Sequence, residues 1–115
     1  MRRGEIVTVS LGPGRGAEAS KTRPAVVVSN DAANAAATRL GRGVITVVPV
    51  TSNTGRVYPF QVLLPADQTG LPHDSKAQAE QIRSVAIERI GHQVGLLPPP
   101  LVTALDQALR VHLSL

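Results

Sequence analysis

Two short stretches place groups suited to phosphate chemistry at the ends of apolar runs. In Thr22-Arg23-Pro24 an arginine precedes Ala25-Val26-Val27-Val28, and in Val50-Thr51-Ser52-Asn53 hydroxyls follow Val44-Ile45-Thr46-Val47-Val48-Pro49. A guanidinium stabilises anionic oxygen, a hydroxyl donates a hydrogen bond, and strand ends on a rigid sheet aim such groups accurately. Read alone, the same stretches fit a surface arginine and an ordinary turn better than a site. Other chemistries find less support. His73, His92 and His112 are scattered and form no HxxxH pair of metal ligands, so no metal or other cofactor is expected. A two-histidine acid–base ribonuclease rests on counting alone. No cysteine is present for a thiol nucleophile, no nucleophile elbow exposes a serine, and Gly12, Gly14 and Gly16 lack the following helix of a phosphate-cradling loop.

The elements that must position these groups are mostly strands. Val7, Val9 and Leu11 alternate with Thr8 and Ser10, which predicts a strand over Ile6 to Leu11, and Gly12 to Thr22 reads as a long exposed loop. Pro24 to Ser29 predicts a second, central strand, Ala32 to Thr38 a short helix, and Val44 to Val50 a third strand closed by a polar turn. Tyr58 to Leu63 reads as a fourth strand with Tyr58, Phe60 and Val62 on one face and Pro59 marking an edge or bulge. Pro65 to Asp74 and Gly91 to Pro100 read as loops, while Lys76 to Arg83 has helical propensity. Leu101, Leu105, Ala108, Leu109 and His112 recur at helical spacing and predict a C-terminal amphipathic helix. The class is mainly β with helices (α+β): a small, curved antiparallel sheet or half-open barrel, as one domain over residues 1–115.

Composition narrows the partners. Apolar residues make up 43% of the chain, but the aromatics are only Tyr58 and Phe60, so the expected core is aliphatic. Ten of the twelve basic residues are arginine in a chain of net charge +4, which suits a polyanionic partner such as a nucleic acid and equally fits an arginine-preferring proteome. The opening residues lack the apolar region of a signal peptide and no run reaches membrane-spanning length, so a cytoplasmic protein without a membrane partner is expected.

Several short motifs, in order and at consistent spacing, resemble the MazF/PemK family of toxin endoribonucleases from type II toxin–antitoxin systems. They are Arg3-Gly4-Glu5-Ile6, Gly16-Ala17-Glu18, Arg23-Pro24-Ala25-Val26-Val27-Val28-Ser29-Asn30-Asp31, Val48-Pro49-Val50-Thr51-Ser52 and Glu80-Gln81-Ile82-Arg83. The resemblance implies the strongly curved sheet of the MazF/PemK/CcdB type and a homodimer. It also implies a strand over Gln78 to Arg83 in place of the local helical preference, and a short helix near Val85 to Ile90.

By that resemblance Arg23 and Thr51 are the catalytic pair, and single-stranded RNA is cut at short preferred sequences without metal, leaving a 2′,3′-cyclic phosphate and a 5′-hydroxyl. The attacking group is then the substrate's own 2′-hydroxyl, so the protein supplies charge and alignment: Arg23 for the phosphorane oxygens, Thr51 as a hydrogen-bond donor. Arginine is an awkward general base. The RNA-binding residues implied are Arg15, Glu18, Ser20 and Lys21 in the loop, with Ser52, Asn53 and Gln81, and the implied partner is a cognate antitoxin with an acidic, poorly ordered segment. Val7 stands where many relatives carry an aromatic, which bears on the cut-site preference. Two rival readings are a non-catalytic toxin resembling the gyrase-poisoning CcdB group and a degenerate relative that only binds RNA.

Overall fold

A computed structural model of the chain describes residues 1–11 and 22–115, so the loop residues Arg15, Glu18, Ser20 and Lys21 lie outside the described residues. The β-branched runs become strands: β1 (Glu5–Ser10), β2 (Thr22–Val27) and β3 (Val44–Thr51). Between β2 and β3 the alanine-rich α1 (Asp31–Leu40) starts at Asn30, whose side chain accepts from the Ala33 N–H, and stops at Gly41 in the left-handed region. The chain continues through β4 (Gln61–Leu64), α2 (Ala66–Thr69), β5 (Ser75–Gln78), β6 (Arg83–Ala86), β7 (Ile90–Leu96) and α3 (Pro99–Leu113).

All strand pairs are antiparallel, and the seven-stranded sheet runs β4-β5-β3-β2-β1-β7 without closing among the described residues. Beside β3, on the side away from β2, two short strands share the edge. β6 pairs with Val44 to Val47 and β5 with Val50 and Thr51. The expected strand over Gln78 to Arg83 is therefore corrected: a 3-10 turn at Ala79–Gln81 separates two strands, because β5 must also turn toward β4. A second 3-10 turn, Ile87–Arg89, sits where a short helix was implied.

Both faces of the sheet are covered. Ile6, Val26, Val48, Val50, Leu64 and Ala77 pack against Leu105, Ala108 and Leu109 of α3, whereas Val7, Val9, Ala25, Val27, Ile45, Val47 and Val85 pack with Ala37 of α1. This double burial makes β3 a nearly continuous apolar run. Val7 is a core residue of the second face. Arg3 joins the elements: its backbone N–H donates to Asp31, its Nε to the Val28 carbonyl at 2.8 Å, and its Nη2 to Asp106 on α3 at 2.7 Å.

Four further expectations are corrected. Gly91 to Pro100 contains β7, an edge strand on β1 that its two glycines disguise. A Cβ at Gly95 would lie 2.5 Å from the Thr69 carbonyl oxygen, and one at Gly91 would collide with the Thr8 hydroxyl, so close approach excludes the side chains that mark a strand. Tyr58 to Phe60 precede β4 rather than belong to it, and Tyr58 is 39% exposed instead of sharing a core face with Val62. The stretch Pro65 to Asp74 includes the single turn α2, and His112 lies exposed at the end of α3 rather than on its packed stripe.

Candidate active site

β2 and β3 run side by side in the ladder Ala25↔Pro49, Val26↔Val48, Val27↔Val47. The paired ladder ends at Ala25↔Pro49, and the same register continued two residues would set Arg23 across from Thr51. Opposed residues of an antiparallel pair face the same side of the sheet. Arg23 itself pairs with Val9 of β1, and Thr51 with Lys76 of β5. Arg23 is exposed. Among the described residues the ion pair is Arg3–Asp106, and no carboxylate neutralises the Arg23 guanidinium.

Thr51 is half-buried, and its Oγ1 accepts the Asn53 N–H at 3.2 Å, while Asn53 Oδ1 accepts the Gly55 N–H at 3.2 Å. These local bonds shape the turn after β3. They also use the Thr51 hydroxyl as an acceptor, so its proton remains available to a ligand oxygen.

Beside the pair lies a groove of about 200 Å3 lined by Arg23, Pro24, Val50 and Ser52 with Leu71, Pro72, His73 and Ser75. Arg23 and Ser52 both line this groove. Thr51 is not among the lining residues, although its sequence neighbours Val50 and Ser52 are, and Asn53 follows as an exposed residue. Gln81 is placed differently: it ends the 3-10 turn between β5 and β6, both of which flank β3, and it is exposed.

His73 and Ser75 are groove residues that the sequence did not single out. The Ser75 hydroxyl donates to the His73 carbonyl at 2.9 Å, and Asp74 Oδ1 accepts the Ala66 N–H at 2.8 Å, which together shape the loop that carries the imidazole. The signal for them is tertiary, since β5 enters beside β3 only in the fold. Of the other histidines, His92 is on β7 and His112 at the end of α3, and neither lines the groove. Among the described residues no three histidine, aspartate or glutamate side chains gather into a group that could hold a metal ion, and no helix is long and apolar enough to cross a membrane.

The arrangement offers a guanidinium with no carboxylate partner among the described residues, a hydroxyl donor, and a largely apolar groove to which Arg23, Ser52, His73 and Ser75 add polar groups, a combination suited to holding and polarising a phosphodiester. Comparison with known proteins adds an independent line. A model of the family described as PemK-like, MazF-like toxin of type II toxin–antitoxin system matches residues 2–113. The chain is 65% identical to endoribonuclease MazF9 of Mycobacterium tuberculosis over 115 residues, covering 100% of this chain and 98% of that protein. It is 36% identical to endoribonuclease MazF6 of the same species over 114 residues, 98% of this chain and 96% of the other. A crystal structure of MazE–MazF from Deinococcus radiodurans superposes with a TM-score of 0.79 at 28% identity, covering 100% of this chain and 96% of that one.

Proposed function

The chain belongs to the PemK-like, MazF-like toxin family of type II toxin–antitoxin systems, and from that premise we propose that it is a sequence-selective endoribonuclease toxin. It cuts single-stranded RNA without a metal ion. The substrate 2′-oxygen forms a bond to phosphorus and loses its proton, the bond from phosphorus to the 5′-oxygen breaks, and that oxygen takes up a proton. A 2′,3′-cyclic phosphate and a 5′-hydroxyl remain.

What supports this reading is the β2–β3 register, whose continuation past Ala25↔Pro49 would bring Arg23 level with Thr51, together with a groove lined by Arg23 and by Val50 and Ser52 on either side of Thr51. Arg23 is assigned the charge that builds on the non-bridging oxygens. Thr51 donates a hydrogen bond to one of them, helped by the Asn53 N–H that already occupies its oxygen. Ser52, Asn53 and Gln81 contact the RNA from the described part of the fold, and Arg15, Glu18, Ser20 and Lys21 from the loop outside it.

Residues 1–115 act as one toxin domain in a homodimer in the cytoplasm. A cognate antitoxin is the second partner, supported by the MazE–MazF pairing of the Deinococcus relative. Its acidic, poorly ordered segment covers the basic surface and excludes RNA.

The test is an assay of purified protein in EDTA on single-stranded RNA, with the fragment ends identified by mass. Cleavage with cyclic phosphate and 5′-hydroxyl ends is expected. Activity that requires an added divalent ion, or fragments bearing 5′-phosphates, would overturn the proposal.

A further inference from the structure

The chain has two aromatic residues, and the fold buries neither in its main clusters. Both lie in the crossover 52–60, which connects β3 to β4. Its path follows from the registers. Lys76 of β5 pairs with Thr51 on one side and with Leu63 on the other, so β3 and β4 run parallel with β5 between them. From Thr51, level with the start of β5, the crossover must travel back along β5 to reach Gln61, level with Gln78 at its end.

Three polar contacts hold this return path. The Lys76 Nζ, on a side chain only 8% exposed, donates to the Arg56 carbonyl at 2.5 Å. Gln61 Oε1 accepts the Tyr58 N–H at 3.2 Å, and Gln61 Nε2 donates to Glu80 at 2.7 Å. A buried ammonium is costly unless it is well bonded, so a lysine in this place needs an explanation beyond packing, where an aliphatic residue would serve.

What the held segment displays is a stack. The Arg56 guanidinium carbon sits 4.7 Å from the centre of the Tyr58 ring, and the Tyr58 and Phe60 rings lie 5.3 Å apart with planes 4° from parallel. Arg56 is exposed and Tyr58 is 39% exposed. A flat cationic surface backed by aromatic rings suits an unstacked base of single-stranded RNA, whose phosphate also gains from the charge.

We propose that Arg56 and Tyr58 form a nucleobase-stacking subsite of the RNA, and that Lys76 is a positioning residue that holds this subsite a fixed distance from Thr51. The inference rests on the reading of single-stranded RNA as the substrate. The Thr51↔Lys76 pairing and the bond from Lys76 to Arg56 link the cleavage position to the subsite through one side chain. Rigid spacing between a stacked base and the scissile phosphate lets stacking energy select which phosphate reacts.

The experiment measures binding by fluorescence anisotropy, using an RNA with a 2′-deoxy nucleotide at the cut site and a series in which single nucleotides are abasic. Arg56→Ala and Tyr58→Leu are each expected to weaken binding about tenfold. One abasic position should weaken binding similarly and abolish the effect of either substitution. Lys76→Met should lose affinity at that same position, a pattern that a general loss of stability would not produce. If Tyr58→Leu fails to fold, the exposed Arg56→Ala decides the matter. Wild-type binding with unchanged affinity in Arg56→Ala, or additive losses at every abasic position, would overturn the subsite alone. Failure of the wild-type protein to bind any RNA would overturn the substrate reading and the subsite together.

Discussion

An RNA with hydrogen in place of the 2′-hydroxyl at its cut site is expected to stay intact under conditions that cleave its all-ribose counterpart to completion. The effect is total because the proposed site holds no nucleophile of its own. Arg23 is a cation, and among the described residues no base accepts the proton of the Thr51 or the Ser52 hydroxyl to activate it. Removing the 2′-oxygen therefore removes the attacking atom, not one contact among several. The deoxy RNA should still bind and should compete with the cleavable strand. Cleavage of the deoxy RNA at a comparable rate would assign the attack to a water or a protein hydroxyl and reverse the proposed chemistry.

The second large effect is expected at the pair itself. Arg23→Ala and Thr51→Val should each lower single-turnover cleavage by about 10²-fold or more, the scale on which one aimed donor acts on a developing oxyanion. Both side chains reach the surface, and α1, α3 and the two core clusters do not depend on them, so melting curves should match the parent. Arg23→Lys discriminates further. A lysine keeps the charge but loses the planar fork, and its rate should fall between parent and alanine variant. Double replacement should cost less than the product of the single losses, as for groups that act as a unit on the same atoms. Parent rates in both single variants would move the search to His73, which lines the groove with Arg23.

Legibility in the sequence followed the range of the interactions involved. β1, β2, β3 and α3 were readable because β-branched runs and helical spacing of Leu101, Leu105 and Leu109 are local patterns. β7 was not, since Gly91 and Gly95 respond to Thr8 and Thr69, residues far away in the chain. The division of Ser75 to Ala86 into β5, a 3-10 turn and β6 was equally hidden, because two partners of β5 decide it. Tyr58 resembled a strand residue by type, but the crossover over β5 draws it to the surface.

For the site, residue chemistry alone favoured a surface arginine and an ordinary turn at Arg23 and Thr51. The family motifs selected them, and the β2–β3 register, continued past Ala25↔Pro49, is consistent with their facing one another. His73 and Lys76 carried no local signal at all. Their proximity to the groove and to Thr51 comes from the insertion of β5 beside β3.

A crystal structure of the protein with an RNA that is 2′-deoxy at the cut site measures the convergence of Arg23 and Thr51 directly. The Arg23 guanidinium and the Thr51 hydroxyl are expected on non-bridging oxygens of the same phosphate, each at about 2.7–3.1 Å. A scissile phosphate bound away from both groups, or the two groups bound to different phosphates, would contradict a shared catalytic site.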